Sequence, residues 1–302
     1  VSGALSPRAA HFGMLLWALL VGLSFPAVGL MRELPPFTLT ALRFAIACAG
    51  LYWLARRAPG FLPALQALPL YGIMGLCLAG FFGAMFWAAH HATALAMSTL
   101  YVSVPLLAYL LGLGFGVERL AWRLPAILAL GAGGALALAF AESLGQAGEW
   151  RFGRGETVFF LGCIASALYP VLSKWGLATG RLADSAAVRT FWSLGVGGAL
   201  IGALGLAIEP VERLAAMRIG DAMLLVYLGL FSSALTFWLL QRATAVLTPG
   251  AVTAYGYLVP FVSMLLLFVE SPGRLGWEWL PGSALVIVAM ALLMCQREPS
   301  AH

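Results

Sequence analysis

A stretch of about 20 mostly apolar residues is what an α-helix needs to cross the ~30 Å hydrocarbon core of a bilayer. This chain of 302 residues holds ten such stretches, at 11–31, 37–55, 68–90, 93–113, 121–141, 156–176, 185–207, 221–240, 244–268 and 277–295. The breaks between them fall at charges and Pro/Gly clusters such as "MRELPP", "RRAPG", "GVERLAWR" and "ESLGQAGEWRFGRGE". The pattern predicts an all-α membrane protein of ten transmembrane helices.

Composition agrees. The chain is 62% hydrophobic and 10% charged, against about 25% charged in an ordinary soluble domain. One core cannot hide that much apolar surface from water, so lipid is the expected solvent. The net charge of +5 is dispersed one or two residues at a time, which gives no basic tract and no nucleic-acid partner. Cys48, Cys77, Cys163 and Cys295 all lie in apolar runs without ligand-like spacing, so they read as small buried side chains and no metal or cofactor is expected. The start, "SPRAAHFGMLLWALLVGLSFPAVGL", lacks a clear A-x-A cleavage site and reads as the first transmembrane helix. Only Lys174 stands against sixteen arginines, a usage that points to a GC-rich bacterial genome.

The ten runs divide into two sets of five. "FWAAHHATAL" at 86–95 returns as "FWLLQRATAV" at 237–246, a constant offset of 151 positions. Pro26 answers to Pro170, Arg43 to Arg189 and Pro105 to Pro260, and Glu118 and Glu270 follow the last two at helix exits. An odd number of spans per repeat makes the second copy enter the membrane from the opposite face. The expected architecture is therefore two inverted five-helix repeats around a central cavity, 11–141 and 156–295, joined by a connecting loop at 142–155. On this reading His90 and His91 occupy the tight turn after span 3, and Gln241 and Arg242 the matching turn after span 8. Nine Lys/Arg residues on the N-terminal side against six opposite place both termini in the cytoplasm.

Taken in series, "TALRFAIA", "STLYVSVPLLAYLLGLGFGVE", "AYGYLVPFVSMLLLFVE" and the paired Phe-Trp…Ala-Thr segments resemble the drug/metabolite transporter superfamily, EamA-like branch. The likeness runs over nearly the whole chain, and by overall character it is most similar to the aromatic amino-acid exporters. The second half departs by four extra residues, "TPGA", ahead of its proline helix. The resemblance implies export through a bacterial cytoplasmic membrane, by alternating access and without a cofactor.

Several residues invite roles in transport. Pro26, Pro105, Pro170 and Pro260 interrupt spans 1, 4, 6 and 9 and read as static kinks or as hinges around the pathway. Trp17, Trp87, Tyr101, Tyr169, Trp238, Tyr255 and Tyr257, with the hydroxyls of Ser24, Ser98 and Thr99, suit a cavity for a flat apolar side chain with a polar end; Ser232 and Ser233 accompany them. Each aromatic ring also has a packing role open to it. Arg43 and Arg189 lie about two turns from their helix ends, where they can snorkel, fix the helix end or hold a substrate carboxylate. His90 and His91 read as turn residues, or as a gate at the outer mouth.

Mid-span Asp and Glu are absent, which disfavours a proton-coupled exporter of cationic drugs. HExxH, GxSxG and a buried Asp pair are absent too, so no catalytic residue is assigned. The expected function is a secondary exporter of aromatic or other apolar amino acids and related metabolites. Other small metabolites or drugs (sugar phosphates, nucleotide-related compounds, xenobiotics) are the alternative substrates, and a structural membrane protein is the alternative class. Small-residue runs at 131–139 and 195–205 suggest close helix packing in a monomer, with spans 5 and 10 as faces for a homodimer.

Overall fold

The structure is a computed structural model, and it describes residues 6–31, 34–143, 153–270 and 276–296. It is all-helical, with no strand among the described residues. The helices are α1 (Pro7–Leu30), α2 (Pro36–Arg56), α3 (Leu68–Ala88), α4 (Ala94–Tyr101), α5 (Val104–Gly114), α6 (Arg123–Ser143), α7 (Arg154–Ala178), α8 (Ala186–Ile208), α9 (Ile219–Gly229), α10 (Thr236–Val246), α11 (Pro249–Ala254), α12 (Leu258–Glu270) and α13 (Trp279–Cys295). One turn of wider π-helix, Leu230–Leu235, joins α9 to α10, and a 3₁₀ turn, Tyr255–Tyr257, joins α11 to α12.

Among the described residues, eight helical stretches are long and apolar enough to cross a membrane. The first and last expected spans correspond to α1, of 24 residues, and to the shorter apolar α13, of 17. Leu16, Leu76, Leu110, Leu161 and Ile287 are exposed along the flanks, where lipid rather than water is the favourable neighbour. At helix ends, Arg56 and Arg57 lie over the exposed Trp53 ring, and Arg123 over Trp122. Such amphipathic pairs are the usual anchors at a membrane surface.

The sequence punctuates these helices by local chemistry. Ser6 and Thr93 accept the Ala9 and Ala96 amides as N-caps of α1 and α4. Pro7, Pro36, Pro105 and Pro249 stand in first turns, where a missing N–H costs nothing. Gly116, at φ 70°, closes α5 so that the Val117 and Glu118 amides both bond back to the Gly112 carbonyl. This tight turn aims Glu118 at the start of α11, where its Oε1 accepts the Gly250 N–H at 2.7 Å. A matching device works in the other direction. Glu209, at the end of α8, accepts the Phe37 and Thr38 amides at the start of α2 at 2.7 and 2.8 Å, and the Thr38 hydroxyl at 2.8 Å.

Packing follows one scheme. α2 lies along α8, and α6 along α13. α3 packs on α7 and α8, while the α9–α10 segment packs on α1 and α2. α4 and α5 rest on α7, as α12 rests on α1, and α5 meets α11. Exchanging each helix for its counterpart five spans along keeps these pairs, although α6 also meets α11 and α12 and α7 also meets α10 and α11, contacts without a counterpart of similar extent. Both small-residue runs are used inside the chain. A Cβ on Gly134 would come within 2.9 Å of the Gly282 carbonyl oxygen, and one on Gly202 within 3.1 Å of Ala41 Cβ.

One sequence expectation needs correction. α10 does not end at residue 240: it runs on to Val246, so Gln241 and Arg242 lie inside a helix and not at a turn. The same Ala-Thr-Ala triplet does two jobs. Thr93 caps the following helix, whereas Thr244 bonds back to Leu240 O within its own. The extra "TPGA" segment supplies the physical reason, because its proline starts the next helix four residues later.

Candidate functional site

Two arginines in matching places of the two halves have different surroundings. Arg189, on the first turn of α8, is fully buried. Its Nη1 donates to the carbonyls of Ala183 and Asp184 at 2.7 and 2.8 Å. The edge formed by Nε and Nη2 is filled by one residue, Gln241: Nε donates to the side-chain oxygen at 2.9 Å and Nη2 to the main-chain oxygen at 2.7 Å. Gln241 makes two further buried bonds. It accepts the Ser173 hydroxyl at 2.5 Å and donates to Tyr169 Oη at 2.8 Å. Tyr169 passes the chain to Ser193 at 2.8 Å, and Ser193 donates to the Arg189 carbonyl at 2.7 Å. Fully paired networks of this kind lock packing. Arg189 and Tyr169 therefore pin α7, α8 and α10 together.

Arg43, eight residues into α2, is 7% exposed. Its Nη2 makes two long bonds of 3.3 Å, to Ser232 Oγ and Ser233 Oγ, and its Nε has no partner among the described residues. The Phe82 ring centroid lies 6.0 Å from its guanidinium carbon. A buried charge with neither a counter-ion nor full hydrogen bonding costs several kcal/mol. Inside a membrane such a group marks a functional position. The two serines sit in the π-turn, a feature often found at working sites.

Aromatic rings form a continuous line past Arg43. Phe37 meets Phe86 at 6.1 Å, Phe86 meets Phe82 at 6.4 Å, and Phe82 meets Phe44 at 5.3 Å. Phe44 touches Phe237 at 6.1 Å, and Phe237 reaches Tyr169 at 6.0 Å. A branch runs from Phe82 through Phe81 to Tyr101 at 5.4 and 5.9 Å. Most of these contacts are edge-to-face or tilted, each worth about 0.5–1.5 kcal/mol beyond burial. Phe81, Phe82, Phe86, Phe237 and Tyr101 remain only half-buried.

A second junction lies where α4–α5 meets α11–α12. The helix breaks after Tyr101, just ahead of Pro105, and turns 3₁₀ at Tyr255–Tyr257, just ahead of Pro260. Tyr257 Oη donates to the carbonyl of Val102 at 3.4 Å, and the Tyr101 ring rests 3.6 Å from where a Gly256 Cβ would stand. Each break thus faces the other. Pro170, by contrast, lies within an unbroken α7. Residue 26 lies inside α1, and its side chain is outside the described residues, as is that of Glu270.

The remaining expected site residues are dispersed. Tyr255 is buried and hydrogen-bonded to His11 Nδ1 at 2.7 Å. Trp17 is buried in the main core. Ser24 donates to its own helix at Val21 O. Ser98 is exposed and Thr99 half-buried. Trp238 is half-buried under the Arg242 guanidinium at 4.6 Å. Trp87 is 37% exposed, stacks on His91 at 3.9 Å, and lines an apolar groove of about 440 Å³ between α3, α7 and α8. His90 and His91 are exposed, and each bonds through Nδ1 to a carbonyl of its own helix end, Phe86 O and Trp87 O.

Sequence reading missed Gln241 and the phenylalanines. Gln241 was obscured by its alignment with a histidine at a turn. The Phe line was hidden because phenylalanine is unremarkable in an apolar span; its spacing on one face of α3 (Phe82, Phe86) was the available signal.

Helices that break where they cross, in an apolar bundle with a buried and under-satisfied cation, are features of a multi-pass membrane protein. Comparison with known proteins agrees. Residues 153–295 match the EamA-like transporter family, so the chain carries an EamA-like transporter domain over that stretch. Chains of solved structure match the fold as well. One crystal structure is 23% identical to this chain, covers 96% of each chain and has a TM-score of 0.76. No curated protein matches.

Proposed function

We propose that the protein exports aromatic and other apolar amino acids, and related small metabolites, across a bacterial cytoplasmic membrane. It does so by alternating access between two inverted five-helix repeats, 11–141 and 156–295, with both termini cytoplasmic. The observation that carries the substrate class is the line of buried and half-buried rings from Phe37 to Phe237, passing a buried arginine. A flat apolar side chain can replace one ring contact with another along that line at little cost.

The packing scheme supports the mechanism. Related helices meet in both halves, and an exchange of arrangement between the halves is the second conformation this mechanism requires. The facing breaks at Val102–Ser103 and Tyr255–Tyr257 supply the places where α4–α5 and α11–α12 can bend. No cofactor enters this cycle.

The test is uptake of labelled phenylalanine, tryptophan and a charged control into proteoliposomes, with and without a pH gradient. Saturable flux of the aromatic amino acids above empty vesicles is the expected result. An absence of flux for every amino acid tried would overturn the reading.

A further inference from the structure

We infer that Arg43 is the carboxylate-binding residue of the transport site, with Ser232 and Ser233 as its co-donors. The ligand class is a monocarboxylate carrying a planar apolar group, such as an aromatic amino acid or an aryl carboxylic acid. The inference rests on the export reading above for the role of the site, and it adds which end of the substrate the protein recognises and with which atoms.

Nε and Nη2 of an arginine form one edge of the guanidinium, whose two parallel N–H groups match the two oxygens of a carboxylate. In Arg189 that edge is closed by the two oxygens of Gln241. In Arg43 it is open: Nε is unpartnered among the described residues, and Nη2 holds only two serine hydroxyls at 3.3 Å. No carboxylate among the described residues lies within ion-pair distance of Arg43. The two arginines thus serve as each other's control. Both are buried in related helices, but the protein supplies an edge partner to Arg189 alone.

The surroundings select the remainder of the ligand. Ser232 and Ser233 can each turn a hydroxyl proton toward an incoming oxygen, so a bound carboxylate gains donors beyond the guanidinium. The Phe82 ring centroid lies 6.0 Å from the Arg43 guanidinium carbon, and Phe44 and Phe237 continue the line of rings from it, so an aromatic group attached to the carboxylate has edge-to-face partners at hand. A doubly charged phosphate is a poorer match, because one arginine leaves half its charge uncompensated in an apolar setting.

Ligand-induced shifts of the thermal unfolding midpoint, with Kd by titration calorimetry, test this in purified protein in nanodiscs. The probes are L-phenylalanine, its amide, and benzoate. Wild-type protein is expected to be stabilised by L-phenylalanine and benzoate but not by the amide. Arg43→Gln should raise the Kd of both carboxylates about ten- to a hundredfold, and Arg43→Lys should keep a weaker carboxylate response. If the glutamine variant does not fold, the lysine variant and the wild-type comparison of acid against amide still decide. Equal binding of phenylalanine and its amide, or an unchanged Kd in Arg43→Gln, overturns the role of Arg43 and leaves the exporter reading standing. Binding of benzoate without L-phenylalanine sustains Arg43 and overturns the amino-acid reading. Binding of neither carboxylate overturns both.

Discussion

The side-chain oxygen of Gln241 accepts from Arg189 Nε at 2.9 Å and from Ser173 Oγ at 2.5 Å, so one amide oxygen holds three helices in register. Replacing it with alanine or leucine leaves the buried Nε of Arg189 without a partner, while Nη2 keeps the main-chain oxygen of residue 241 and Tyr169 keeps Ser193. Leaving a buried donor unsatisfied typically costs about 1–3 kcal/mol, and more for a charged group. Gln241→Leu should therefore lower the thermal midpoint sharply, and Tyr169→Phe, which removes only a neutral bond, should lower it much less. Equal midpoints for Gln241→Leu and wild type would contradict the network.

Adjacent glycines on α6 make a paired prediction. A Cβ at Gly134 would meet backbone atoms of α13, the Val286 nitrogen at 2.8 Å and the Gly282 oxygen at 2.9 Å, whereas one at Gly133 meets nothing within 4 Å. Gly134→Ala should force α6 and α13 apart and reduce both stability and the yield of monodisperse protein. Gly133→Ala should leave the midpoint unchanged or slightly raised, since alanine is the better helix former. Size-exclusion profiles and unfolding midpoints of the two variants check the contrast.

His90 and His91 bond only to the carbonyls of their own helix end and stand in the open. Alanine at either position should shift stability by no more than about 0.5 kcal/mol. Added zinc should leave the midpoint unmoved, because no group of three metal-ligating side chains forms among the described residues. A zinc-dependent rise that either alanine variant abolishes would reinstate them as a site.

Glu209 satisfies two first-turn amides and one hydroxyl of α2, and Glu118 satisfies one amide of α11. Removing a cap typically costs about 0.5–2 kcal/mol. Glu209→Ala and Glu118→Ala should each lower stability by about that amount. Thermal unfolding of both alanine variants, with the glutamine variants as controls that keep one acceptor oxygen, checks this.

Much of the fold was legible because lipid imposes a single length scale: a run of apolar residues either spans or does not. The helix starts were legible where a local signal exists, as at Thr93 and Pro249. The end of α10 was not, because "FWLLQRATAV" so closely matches a segment that turns, and the partner that Gln241 meets from within the helix, Arg189, is 52 residues away. The candidate site was half legible. Arg43, Ser232 and Ser233 each stood out, but their meeting spans 189 and 190 positions of sequence, a separation no local pattern can report. Tyr255 was singled out for a cavity, yet its hydroxyl is taken by His11 from the opposite end of the chain.

The exchange of carboxylates between the two halves also bears on how the chain is made. The amides of Phe37 and Thr38 reach the membrane early in synthesis, but the glutamate that caps them follows about 170 residues later. Until the ribosome has delivered Glu209, those donors at the head of α2 lack the acceptor that the folded chain gives them. The second half, in turn, cannot complete α11 without Glu118 from the first. Neither half is a finished object alone, so a gene fragment encoding one of them should yield a protein that waits for its complement in trans or is degraded.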